Sequence, residues 1–171
     1  FTQITLAEAG LDKATALYVS SLAEALSLTQ LRLEATQETS TTKEARASVG
    51  ISALQTTLAA LKTSLGEIDA LKTAAEAAKT KAFADYRQVL PDQDNGDQNA
   101  LIPDFTVFDS RIAALATATL DGAIDALVTD LGTLSTLTAS ELQTELDNTT
   151  ATLKAAGLSY APLVGTFTSA R

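Results

Sequence analysis

Cysteine, methionine, histidine and tryptophan are absent from all 171 residues. Without Cys there is no disulfide frame, no thiolate nucleophile and no thiolate-bound metal, and thiol usage cannot indicate the redox compartment. Without His as well, Ser/His and Cys/His catalysis, zinc sites of the usual ligands and the Glu-x-x-His di-iron arrangement of helical bundles are all excluded. The eight glycines are scattered singly, so no glycine-rich phosphate loop exists. Carboxylate pairs and lysine Schiff bases are the chemistry that remains. The sequence therefore predicts a chain that is not an enzyme, with no catalytic residue, no cofactor and no dedicated metal site.

Charge is also scarce, at 19% of residues, and mostly negative: 12 Lys/Arg against 21 Asp/Glu give a net −9. Residues 91–171 hold nearly all of the excess, with three basic against eleven acidic side chains. A surface of that sign repels phosphate backbones and anionic headgroups, which excludes nucleic acid and a basic membrane-binding face. No uninterrupted apolar run approaches the length of a membrane span, so none is expected. With no Met and with Phe at position 1, the chain reads as a processed product or a trimmed piece. Phe1-Thr2 resembles the start of a processed type IV pilin, but position 5 is Thr5, and Glu8, Asp12 and Lys13 interrupt the apolar helix such a subunit needs.

What the chain does have is alanine, threonine and helical periodicity. The sequence holds 32 Ala and 26 Thr, so its polar surface is built largely from Thr, Ser and Gln. At 46% hydrophobic it can bury the core of one domain. Between Thr42 and Leu90 no proline occurs, and Ile51, Leu54, Leu58, Leu61, Leu65 and Ile68 follow the alternating three- and four-residue steps of a heptad seam. A strict continuation would put Lys72 and Lys79 on that seam. The expectation is instead a slip to Leu71, Ala75, Ala78, Ala82, Tyr86 and Leu90. The heptad half should lie antiparallel to the first helix, and the alanine half against the third.

The predicted fold is all-α: an elongated up-and-down bundle of about four helices with coiled-coil-like seams, spanning 1–156, and a non-helical apolar tail at 157–171. The helices are expected at about 5–38, 42–90, 105–134 and 139–156, with a loop at 91–104. Three spacings read as capping boxes that open helices: Thr5 to Glu8, Thr41 to Glu44 and Thr138 to Glu141. The Thr36–Thr42 run reads as a capped turn, with O-glycosylation as the alternative. Asp92, Asp94, Asn95 and Asp97 offer close-set hard oxygens, but their spacing is not that of an EF-hand and the segment reads as a solvated linker. Asp121, Asp125 and Asp130 read as a solvated face. Asn148-Thr149-Thr150 is a glycosylation sequon inside a predicted helix. Phe83, Tyr86, Phe105 and Phe108 flank the loop and are expected to meet as an aromatic plug.

Leu158, Tyr160, Leu163, Val164 and Phe167 are apolar, yet Pro162 and Gly165 deny them a helix. Together with Phe1, Ile4 and Leu6 they are the candidate interaction residues, either folded on their own bundle or docked on a neighbour. The composition is similar to that of exported filament proteins such as flagellins, although no flagellin motif occurs. The expected function is a self-associating structural subunit of an extracellular filament or virion appendage, with homo-oligomeric or other assembly partners. The alternative is a secreted helical carrier of a fatty acid or other apolar ligand, with room beside the small residues of Ala74–Ala84.

Overall fold

A computed structural model describes residues 1–89 and 104–157. Among them there is no strand. The helices are α1 (Thr2–Glu38), α2 (Thr41–Val89), α3 (Thr106–Ala114), α4 (Ala118–Thr133) and α5 (Ala139–Gly157), with a 3-10 turn at Leu134–Thr136 before α5. The all-α helical bundle is thus observed. The longest helix is α2, with 49 residues. By internal packing the chain divides into two units, residues 1–11 with 65–117, and residues 12–64 with 118–171.

In the second unit the core is the expected heptad seam and its partners. Leu54, Leu58 and Leu61 of α2 are buried with Leu22, Leu26 and Leu33 of α1, Ile124, Leu127 and Leu131 of α4, and Leu142 and Leu153 of α5. Gly50 shows how close α1 and α2 come: a Cβ placed there would lie 2.4 Å from Leu28 Cδ2. The two helices are joined by a tight reversal. Thr39 adopts the left-handed φ of 53°, and the Ser40 N–H donates to Ala35 O at 2.9 Å, closing the last turn of α1. Ser40 then starts α2, its Oγ accepting from the Lys43 N–H at 3.3 Å, and Lys43 Nζ bridges back to Glu34 and Glu38. The Thr36–Thr42 run is therefore a capped turn, but its cap is Ser40 and not Thr41.

In the first unit Ile4 and Ala7 of α1, Leu65, Ile68 and Ala75 of α2, and Phe108, Ile112 and Leu115 are buried. Helix α1 begins three residues earlier than expected. Thr5 lies inside it, its Oγ1 donating back to Phe1 O at 3.1 Å, and Glu8 is engaged by Arg111 instead of by a capping box. Of the three expected boxes only Thr138–Glu141 forms reciprocally, with Thr138 N to Glu141 Oε2 at 2.8 Å and Glu141 N to Thr138 Oγ1 at 3.3 Å.

The expected single helix over 105–134 is two. Helix α3 ends at Ala114 and is capped by Leu115, whose φ and ψ are −83° and 58° and whose N–H donates to Ile112 O; helical geometry resumes at Ala118. At the break Thr117 Oγ1 donates to Asp69 Oδ1 at 2.9 Å.

The continuation of the α2 seam also departs from expectation. Ala78 and Ala82 are exposed, whereas Lys72 and Lys79, the strict heptad positions, are half-buried. The heptad does not slip. Lys79 stays on the seam by laying its stem inward while its ammonium stands 5.1 Å from the Phe105 ring centroid and 5.8 Å from that of Phe108, and pairs with Asp109.

Candidate interaction surfaces

The candidate residues at the start of the chain separate by burial. Ile4 is fully buried and belongs to the core of its own unit. Phe1 and Leu6 are exposed at 63% and 55%. Leu158, Tyr160, Leu163, Val164 and Phe167 lie outside the described residues, as do Asp92–Asp97. Val49 and Val107, at 72% and 64% exposed, are apolar surface that the sequence reading missed; Val49 was legible as the residue opposite the seam formed by Ile51 and Leu54.

The aromatic plug forms with different members. Phe108 meets Phe105 edge-on at 6.3 Å and Phe1 edge-on at 5.6 Å. Phe83 is instead paired with the Arg87 guanidinium one turn along, at 5.5 Å. Arg111 binds this end of α1 to α3. Its Nε and Nη2 donate to the two Glu8 carboxylate oxygens at 2.8 and 2.7 Å, and its guanidinium lies 5.6 Å from the Phe1 ring. The hydrogen bond from Arg111 holds the Glu8 carboxyl below its ordinary range, against the opposing effect of desolvation.

The acidic residues of α4 also separate. Asp121 and Asp125 both reach Lys62 of α2, at 3.6 and 2.6 Å, so they are bridged rather than merely solvated. Asp130 stands beside Glu145 of α5. Burial, and then the negative charge and hydrogen bonding of Asp130, push the Glu145 carboxyl up from its ordinary value. Burial and then Asp130 raise the Tyr18 phenol as well. Tyr18, Asp130, Glu145 and Asn148 share a cleft of about 260 Å³. Among the described residues no group of three carboxylates is placed to hold a metal ion.

A wider cleft of about 640 Å³ lies between α1, α2 and the end of α4, lined by Arg32, Glu44, Ser48, Ser52 and Gln55 with Ile51 and Leu131. Arg32 Nη2 donates to Ser135 O at 3.0 Å and stands 3.8 Å from Glu44, while its buried Nε has no partner among the described residues. The lining is polar and carries one charge of each sign, unlike an apolar ligand pocket. The alanine stretch first suggested as room for such a ligand is open: Ala74, Ala77, Ala78, Ala82 and Ala84 are all exposed.

One stretch is apolar enough on average to be weighed as a membrane span, although charged residues interrupt it. Thr106–Thr136 contains an 18-residue window of mean hydropathy 1.4, enough to cross a membrane by length and composition, with 28% of it buried. Its helix is interrupted at 115–117, and Asp121 and Asp125 in its middle are paired with Lys62. Each such carboxylate costs roughly 2.5–3.5 kcal/mol at a membrane helix centre. No family model matches the chain, and comparison with curated proteins and with solved structures yields no match.

Proposed function

We propose that this chain is a non-enzymatic structural protein, a helical subunit that self-associates in an extracellular filament or a virion appendage. The observation that carries this reading is the character of its exposed surface. Large apolar side chains stand open at Phe1, Leu6, Val49 and Val107, and the threonine hydroxyls along the helices are spent on carbonyls of their own helix, as at Thr56, Thr57, Thr63, Thr144 and Thr150. Such threonines need no solvent partner for their donor and present mainly methyl surface. Exposed apolar area of this kind is suited to contact with another protein.

The test is light scattering over a wide concentration range, together with electron microscopy of the native material. Self-association that rises with concentration, and filaments or particles containing the chain, are the expected results. A chain that stays monomeric throughout and appears in no assembly overturns the proposal. The carrier reading would be favoured instead by displacement of a fluorescent fatty acid at micromolar protein.

A further inference from the structure

Asp130 of α4 and Glu145 of α5 bring two carboxyl groups together across helices with no base beside them. Elsewhere such carboxylates are matched: Glu8 by Arg111, Asp109 by Lys79, and Asp121 and Asp125 by Lys62. Asp130 and Glu145 stand within hydrogen-bonding reach of each other, and among the described residues neither has a Lys or Arg partner. They share their cleft with Tyr18 of α1 and with Asn148 and Thr149 of α5, all within one compact unit. Two carboxylates so placed repel unless a proton or a cation sits between them. A second feature of the cleft is independent of the acids. Thr144, Thr150 and Thr152 of α5 donate their hydroxyls to carbonyls of their own helix at 3.2, 2.7 and 3.0 Å. Thr149 does not: it is 9% exposed, it lines the cleft, and its hydroxyl has no hydrogen-bond partner among the described residues. A hydroxyl buried to that degree is normally paired, and the space it lines is the one beside the two carboxyl groups.

We propose that this cleft is a calcium site, in which the Asp130 and Glu145 carboxylates, the Thr149 hydroxyl and the Asn148 side-chain oxygen are ligands and water completes the shell. Glu145, Asn148 and Thr149 follow one another at i, i+3 and i+4, so one face of α5 carries three of the four and α4 brings the fourth. The site has two carboxylates and not three, and neutral oxygens make up the set. Such a flexible mixture suits calcium better than magnesium, which demands near-ideal octahedral geometry. With so few charged ligands, beside a cleft of about 260 Å³, the affinity falls in the weak range, with Kd about 0.1–1 mM. The ion takes the place of the proton that Asp130 and burial otherwise favour on Glu145, so binding expels that proton and weakens in acid. Tyr18, the remaining titratable group of the cleft, is raised by burial and Asp130 and stays a neutral phenol throughout.

Thermal melts near neutral pH, in a chelator and in about 10 mM calcium, test it. The wild-type midpoint should rise by about 3–6 °C with calcium, and those of Asp130→Asn and Glu145→Gln by less than about 1 °C. Asp147→Asn removes an exposed carboxylate of the same helix outside the cleft and should respond as wild type does. Terbium, an oxygen-seeking ion close to calcium in size, locates the site. Because the chain has no tryptophan, sensitised terbium emission comes from tyrosine. Tyr18→Phe should lose most of that emission while keeping the calcium-dependent rise in melting, and added calcium should suppress the wild-type emission by competition. No rise in the wild type shows that the carboxyl pair holds a proton only, and overturns the proposal. An equal rise in Asp130→Asn, Glu145→Gln and Asp147→Asn shows that calcium merely screens the net charge, and overturns it too. Emission unchanged by Tyr18→Phe puts the ion outside this cleft, with the same consequence.

Discussion

Replacing Gly50 by alanine should destabilise the protein or leave it unchanged, while the same replacement at Gly122 should stabilise it. Both glycines are interior to helices of the same unit, so in each case the methyl group removes backbone freedom from the unfolded chain and favours the helix by about 1 kcal/mol. They differ in what the methyl meets. At Gly122 no atom lies within 4 Å, whereas at Gly50 the new Cβ would sit 2.4 Å from Leu28 Cδ2 and 3.6 Å from its Cγ. Carbon atoms rest at about 3.5–4.0 Å, so Leu28 or the α1–α2 separation must yield by more than 1 Å. Leu28 is only 8% exposed, and overpacking of such a site costs about 1–3 kcal/mol. The net expectation is about 1 kcal/mol gained for Gly122→Ala and about 0–2 kcal/mol lost for Gly50→Ala. At roughly 2–4 °C per kcal/mol for a chain of this size, thermal melts followed by helical circular dichroism should show the two variants on opposite sides of wild type, or Gly50→Ala level with it. In a Leu28→Ala background the clash is gone, and Gly50→Ala should become stabilising. Equal stabilisation by Gly50→Ala and Gly122→Ala in the wild-type background would refute the close approach of α1 and α2 at this point.

Thr39 holds a left-handed φ of 53° that a β-branched residue resists, so Thr39→Gly should raise stability by about 1 kcal/mol in a denaturant melt. Ser40 caps α2 through its hydroxyl, so Ser40→Ala should cost about 1 kcal/mol, whereas Thr41→Ala, one residue into the helix, should change stability by less than about half of that. Burial and Asp130 raise the Glu145 carboxyl in the folded state. The folded chain therefore binds that proton more tightly than the unfolded one, and the associated stability is present in acid and lost as the pH rises through the folded value. Glu145→Gln should melt higher than wild type at pH 8 and close to it at pH 4; a gain that does not depend on pH would show that the carboxyl is not perturbed. Phe108 is 6% exposed and holds both Phe1 and Phe105, so Phe108→Ala should cost about 3–5 kcal/mol and lower the melting of its unit, as read by equilibrium unfolding.

The heptad seam was readable residue by residue because burial along one helix face imposes a period, and from Ile51 to Ile68 every seam residue is buried. The Thr138–Glu141 capping box was readable for a similar reason: a local motif carries all of its partners within one turn. Thr5–Glu8 has the same spacing and failed, because the Glu8 carboxylate has a stronger partner in Arg111, 103 positions away in sequence. The fate of Lys79 was misread because the sequence shows a charge where the structure supplies two aromatic faces and an aspartate to receive it. The break at Leu115–Thr117 lay in the sequence as an irregular gap between Leu115 and the next seam residues, but a gap in periodicity does not show whether the helix bends, slips or stops.

For the exposed surface the division is similar. The sequence by itself determined that the chain is all-α, that its longest helix carries an uninterrupted buried seam, and that no histidine or cysteine chemistry is available to it. These follow from composition and from the 3.5-residue period, which depend on nothing beyond the chain. Only the tertiary structure decided that Ile4 is core and Val49 is surface, and that Asp121 and Asp125 draw Lys62 toward α4. Burial and pairing are relations between segments distant in sequence, and a periodic pattern fixes which faces must be covered without naming what covers them.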